Sequence, residues 1–209
     1  MPKFKSDDLL NELQEDVRRI KAAGQHIQGA DPRKLIYQTH PEKWSVVQVL
    51  EHLNGYGRYY IPAIDKALAF KSAEPSVWFN SGFLGNYFTN SMKPTNVYEI
   101  KNKMKTMKAY NFKNSLNVEQ VLNEFLQQQD RLIQLMDLAR TRNLNEIRIP
   151  ITISKMVKLK LGDIFRFLVA HEQRHMIQAR NTLQQTGIPT DKFPVIMESP
   201  KPQRAVAHA

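Results

Sequence analysis

Apolar positions recur along this chain with the 3.6-residue period of amphipathic helices, in four long stretches. Leu9, Leu13, Val17, Ile20, Gly24 and Ile27 form one stripe, which predicts a first helix over about residues 6–27. Val46, Val49, Leu50, Leu53, Tyr60 and Ile64 form the second. Its start is marked twice: Ser45 and Gln48 have the spacing of a capping box, and Trp44 with Val49 that of a hydrophobic staple. Gly55, Gly57 and Pro62 predict a kink in this helix. Val118, Val121, Leu122, Phe125, Leu132, Ile133, Met136 and Ala139 predict a third helix, opened by Asn117 and Gln120 with a Leu116/Val121 staple. The fourth pattern covers about residues 161–186 and stops at Gly187 and Pro189. Its stripe is Ile164, Leu168, His171, His175, Ala179 and Thr182 or Leu183.

Between the second and third patterns, residues 71–116 lack a period. Stretches this long inside a compact domain are usually functional or partly helical. A short helix is expected near residues 81–90. The aromatic-rich run 78–88 is expected to cover one end of a bundle near the histidines, or to form a contact between two copies. Residues 147–153 read as extended, and the tail from about 190 as irregular. The fold expected is all-α: one domain over residues 1–209, a four-helix bundle with a long, partly helical insertion between its second and third helices.

Two histidines on an inward-facing stripe change the picture from scaffold to site. His171 and His175 are one helical turn apart, so they can grip one ion from the same face. His52 sits on the second helix, in the run Leu50-Glu51-His52-Leu53. A facing helix carrying it would complete three nitrogen ligands, the number found in catalytic sites that keep a position open. A single such residue would read as a hydrogen-bonded core histidine; two on one stripe with a third on another helix are harder to explain that way, and spacing alone leaves a metal site and satisfied core histidines as equal readings. His26, His40 and His208 lie near a helix end, in a loop and in the tail, and read as surface residues.

The run His171-Glu172-Gln173-Arg174-His175 also spells the zinc-protease pattern His-Glu-x-x-His. No further glycine and histidine follow at metzincin spacing, and a glutamate ligand would have to be Glu198 in the proline-bracketed tail. The protease reading is therefore set aside. Glu172 and Gln178 remain secondary candidates for a catalytic role, Glu172 as a base and Gln178 as an orienting group. Glu51 and Glu172 flank ligands and are expected to face solvent.

Composition narrows the chemistry further. The chain of 209 residues contains no cysteine, which removes disulfides, thiolate ligands and a cysteine nucleophile. No apolar signal core or membrane-length run is visible, so an intracellular, cytoplasmic protein without membrane attachment is expected. The net charge is +10. Lysines cluster at Lys101, Lys103, Lys105, Lys108 and Lys113, beside Tyr110 and Phe112, and again at Lys155, Lys158 and Lys160. No nucleic-acid motif accompanies them. Both clusters read as solvated loops, and no specific nucleic-acid partner is expected.

A tryptophan-led capping box, a histidine seven residues on, and a late helix with Arg166-Phe167-Leu168-Val169-Ala170-His171-Glu172-Gln173-Arg174-His175 followed by Gln178 together resemble the DinB-like four-helix-bundle superfamily. The resemblance covers about residues 6–187. It implies a divalent metal, often zinc or nickel, held by three histidines, here His52, His171 and His175. Members include bacillithiol and mycothiol transferases and a thiol-dependent isomerase, while others have no known reaction and some have lost the metal. The resemblance thus implies S-transfer from a low-molecular-weight thiol cosubstrate, with metal binding without turnover and metal-dependent hydrolysis as alternatives. One position departs from the pattern: Lys160 stands where the family has a hydroxyl residue, three before Asp163.

Overall fold

The helix start at Ser45 forms as its residues dictate. The Ser45 hydroxyl accepts from the Gln48 N–H, and the Gln48 side chain accepts from the Ser45 N–H, so two otherwise orphaned donors are satisfied. The computed structural model describes residues 1–70, 74–96 and 116–198. Helix α1 spans Ser6–Gln28, α2 Pro32–Leu35, α3 Val46–Ala69, α4 Phe83–Met92, α5 Val118–Ala139 and α6 Leu161–Gln185. Asn117 caps α5 by accepting from the Gln120 N–H. Gly187 ends the α6 segment with φ +75°, a left-handed conformation that glycine adopts without steric cost.

The four long helices pack in a ring. Helix α3 touches α5 and α6, and α1 touches the same two, so α1 and α3 lie diagonally opposite. The apolar stripes meet in the middle, with Leu10, Ile20, Tyr60, Phe125 and Phe165 fully buried. Helix α3 runs as one element through Gly55, Gly57 and Pro62.

Two antiparallel ribbons complete the fold. Strand β1 (Lys3–Lys5) pairs with β2 (Trp78–Asn80), with Phe4 opposite Phe79. Phe79 is fully buried and anchors the ribbon. Strand β3 (Arg148–Ile151) pairs with β4 (Ser154–Lys160), irregularly between Pro150 and Ile151. The extended segment expected at 147–153 is thus the first half of a hairpin. Lys155, Lys158 and Lys160 lie on its second strand rather than in a loop, a correction that follows from the alternation Val157-Lys158-Leu159-Lys160, in which Leu159 is buried. The Thr152 N–H donates to the Tyr60 hydroxyl at 3.2 Å, tying the hairpin to α3. The lysine cluster from Lys101 to Lys113 lies outside the described residues, as does His208.

The insertion is partly helical, as expected, with α4 shifted two residues from its predicted place. Helix α4 packs on α6. Asp163 of α6 is the centre of that contact. Its carboxylate accepts from the Ser81 hydroxyl at 2.5 Å, the Gly82 N–H at 2.8 Å and Arg166 Nη1 at 3.2 Å. Gly82 is the N-cap of α4 and contributes no side-chain cap, so an acid from another helix sits at that helix's positive end. Arg166 also donates to Asn86 at 3.1 Å. Lys160 makes no cap of its own for α6; its ammonium donates to the Asn80 carbonyl at 2.6 Å.

Candidate metal centre

Helices α3 and α6 bring His52, His171 and His175 together. One ligand-competent atom from each lies within 4.8 Å of the others. The Nε2 atoms of His52 and His171 are 3.1 Å apart. Two imidazole nitrogens bound to one ion at about 2.0–2.1 Å stand roughly 3–3.5 Å apart, so the donor set fits a single divalent ion.

Protonation also suits such a site. Burial drives the His52 imidazole down to about 4. His175 falls to about 3, by burial first and then by the neighbouring His52, against a smaller opposing effect of its Gln178 hydrogen bond. His171 lies well below its ordinary value, by burial and then by the other two histidines and Arg174. All three rings are therefore neutral near pH 7 and offer lone pairs. The Gln178 amide oxygen is 2.9 Å from His175 Nδ1. An amide oxygen only accepts, so Nδ1 carries the proton and Nε2 keeps the free pair. The corresponding His171 Nδ1 is buried and has no hydrogen-bond partner among the described residues.

Aromatic rings wall the cluster. Trp44 lies 5.0 Å from His52 and 6.2 Å from His175, centroid to centroid. Tyr56 lies 4.2 Å from His171, and Phe167 stacks on His171 at 5.8 Å. Phe88 of α4 reaches Phe167 at 6.4 Å, which places part of the 78–88 run near the histidines. Phe83, Leu84 and Tyr87 of the same helix point outward. His52 and His171 are buried, whereas His175, Trp44, Tyr56 and Gln178 keep some surface, so the cluster opens on the His175 side.

The sequence profile of the DinB superfamily matches residues 8–179. This chain belongs to the DinB superfamily. Among solved structures it is similar to YfiT from Bacillus subtilis, described as a probable metal-dependent hydrolase with an unusual four-helix bundle topology. The two share 14% sequence identity with a TM-score of 0.51, over 88% of this chain and 89% of that one. No curated protein matches the sequence. As a DinB-superfamily bundle, the chain carries a histidine triad able to hold a metal in its interior, and no described helix is long and apolar enough to cross a membrane.

Both glutamates beside the ligands correct the sequence reading, since neither faces solvent. Glu51 is buried and pairs with Arg58 at 2.7 Å, and Arg58 also bonds Glu124 of α5. Glu172 turns toward α5, where Oε1 accepts from Gln129 at 3.2 Å. Its Oε2 is buried without a hydrogen-bond partner among the described residues, and burial raises the carboxyl to about 7. Helix phase and the packing of the neighbouring helices together explain this. A residue next to an inward-facing ligand is turned only about 100° from it, and in a ring of four helices that direction can meet another helix.

Proposed function

We propose that this chain is a metal-dependent enzyme in which His52, His171 and His175 hold a divalent ion, zinc or nickel, and the nucleophile is a low-molecular-weight thiol supplied as a cosubstrate. The observation that carries this reading is the convergence of three neutral imidazoles with no carboxylate among them. When bound there, the ion supplies an uncompensated positive charge that lowers the pKa of a thiol or water sharing it. The chain has no cysteine, so a thiol has to come from outside. Gln178 fixes the His175 ring, Trp44 and Tyr56 give apolar walls that limit water, and the partly open His175 side admits the cosubstrate.

Water in place of the thiol gives the second reading, hydrolysis. Two observations favour it: the description of YfiT, and Glu172, the residue after His171 in sequence, whose buried carboxyl near 7 has one oxygen without a hydrogen-bond partner among the described residues. A carboxyl in that range can accept a proton near neutral pH.

Metal analysis of the purified protein, followed by conjugation assays with small thiols and electrophiles and by amide and ester hydrolysis assays, tests the proposal. Stoichiometric metal with thiol conjugation is expected. Hydrolysis alone would select the second reading. Stoichiometric metal with neither activity would leave a metal-binding protein without turnover, and a metal-free protein that takes up none would end the reading.

A further inference from the structure

The β1–β2 ribbon and helix α4 sit side by side on the first turns of α6. Phe79 packs on Gly162, where a Cβ would come within 2.7 Å of its ring, and the Phe4 ring centre lies 4.7 Å from the Arg166 guanidinium carbon. Gly85 of α4 is pressed on Asp163, and Asn86 accepts from the same Arg166. Both elements thus have their inner faces on residues 162–166, and both outer faces point away from that segment. In the ribbon, strand alternation puts Lys3, Lys5 and Trp78 opposite Phe4 and Phe79. The Lys3 ammonium lies over the Trp78 ring at 4.5 Å. In α4, Phe83 and Tyr87 each stand two residues from Gly85, so they point about 160° away from it. They are 70% and 60% exposed, with Leu84 exposed beside them.

This outer surface is aromatic and apolar with a basic edge. The two strands and α4 contain no acidic residue, and their only charges are Lys3 and Lys5. Lys160 adds an ammonium at the Asn80 carbonyl. The acids that follow β1, Asp7 and Asp8, belong to the first turn of α1, and Asp7 lies 3.5 Å from Arg140 at the end of α5. A self-paired contact between two copies would set the lysines against each other. Nucleic acid asks for a denser set of phosphate contacts. Tryptophan, tyrosine and lysine beside exposed phenylalanine and leucine are the residue types that sit in the headgroup layer of an anionic bilayer. Their apolar bodies reach the acyl boundary while the ammoniums stay among the phosphates.

We propose that the outer face of α4 and the β1–β2 ribbon is a peripheral docking surface for anionic lipid bilayers. No described helix is long and apolar enough to cross a membrane, so the contact lies on the bilayer surface. The lack of a membrane-length run in the sequence bears on spanning segments and not on a surface of this kind. The face is separate from the three histidines, so failure of the metal-dependent reading leaves this proposal standing.

Cosedimentation of the full chain with lipid vesicles provides the test, with phosphatidylcholine alone set against phosphatidylcholine carrying about one-third phosphatidylserine. The anionic vesicles should be bound at least about tenfold more tightly, and the preference should fade in high salt. Lys3→Gln with Lys5→Gln should weaken binding to the anionic vesicles by about tenfold. Phe83→Ser with Tyr87→Ser should weaken it by about the same factor at unchanged net charge. This second pair separates insertion of the face from the general adsorption of a basic chain, which those two changes would not move. Circular dichroism checks that the variants fold, and Leu84→Ser takes the place of the second pair if it does not. No binding to anionic vesicles, or binding that the aromatic changes leave intact, overturns the proposal. A dimer in lipid-free solution that the same changes split also overturns it, and assigns the face to a second copy. Tighter binding to single-stranded nucleic acid than to vesicles, lost with the same residues, overturns it in favour of that partner.

Discussion

Gln178 holds His175 from behind: its amide oxygen lies 2.9 Å from Nδ1, on the opposite side of the ring from the ligand-competent Nε2. His171 has no such support at its own Nδ1 among the described residues. Gln178 is thus the identified outer support of the centre. Gln178→Ala should weaken metal binding by about 10–100-fold while leaving the fold intact. Competition against a chelator of known affinity measures it; an unchanged affinity would show that His175 is positioned by packing alone.

His171→Ala should remove measurable zinc or nickel binding, because two imidazoles hold a divalent ion poorly. Metal should raise the melting temperature of the unmodified protein and not that of the variant. Far-ultraviolet circular dichroism should stay helical, since the apolar stripes do not depend on the site. A metal-dependent melting shift that persists in the variant would place the ion elsewhere.

Metal-free protein should lose stability on acidification below about pH 6.5. The unfolded chain takes up protons at its histidines near that value, whereas in the folded state His52 waits until about 4 and His175 until about 3. Each histidine then contributes a slope of up to about 1.4 kcal/mol per pH unit. Glu172 acts in the opposite sense. Its folded value of about 7 lies above its ordinary 4.5, so its contribution is full below 4.5 and disappears as pH rises through 7. Urea unfolding with chelator from pH 5 to pH 8 reads both. Glu172→Gln should be more stable than the unmodified protein at pH 8, relative to their difference at pH 5. A flat profile between about pH 5 and 6.5 would contradict buried neutral imidazoles.

Two glycines should respond differently to alanine. A Cβ on Gly85 would lie 2.2 Å from Asp163 Cγ, in the buried node that joins α4 to α6. Gly85→Ala should cost about 1–3 kcal/mol through overpacking. A Cβ on Gly57 would meet the Gln128 side-chain end, which can swing away, and alanine favours helix there by about 1 kcal/mol. Gly57→Ala should therefore fall within about 1 kcal/mol of the unmodified protein by chemical denaturation. Equal losses at both positions would mean that the α4–α6 node is as compliant as a surface side chain.

What could be read in advance was whatever repeats locally. The four stripes, the Ser45/Gln48 box, the Asn117 cap and the Gly187 stop all act within one or two turns, so the residues involved are close in sequence. The inward placement of His171 and His175 followed from the same period. The β1–β2 ribbon could not be read that way, because Phe4 and Phe79 meet across a long stretch of chain and three-residue strands have no period to detect. Strand β4 did carry a signal, its Val-Lys-Leu-Lys alternation, hidden by reading the lysines as a charge cluster. Asp163, Arg174, Glu51 and Glu172 were illegible for another reason. Whether a charged residue faces water or a neighbour depends on which helices pack together, and helix phase alone does not fix that.

Trp44 was introduced as the first residue of a staple and then as a wall of the histidine cluster, 5.0 Å from His52. The chain's other tryptophan, Trp78, sits on an outer ribbon under Lys3. An excited indole passes its energy readily to an open-shell ion such as nickel or cobalt at short range. Loading of the centre is thereby written into the protein's own emission: the fraction from Trp44 should dim in proportion to occupancy, while that from Trp78 persists as an internal reference.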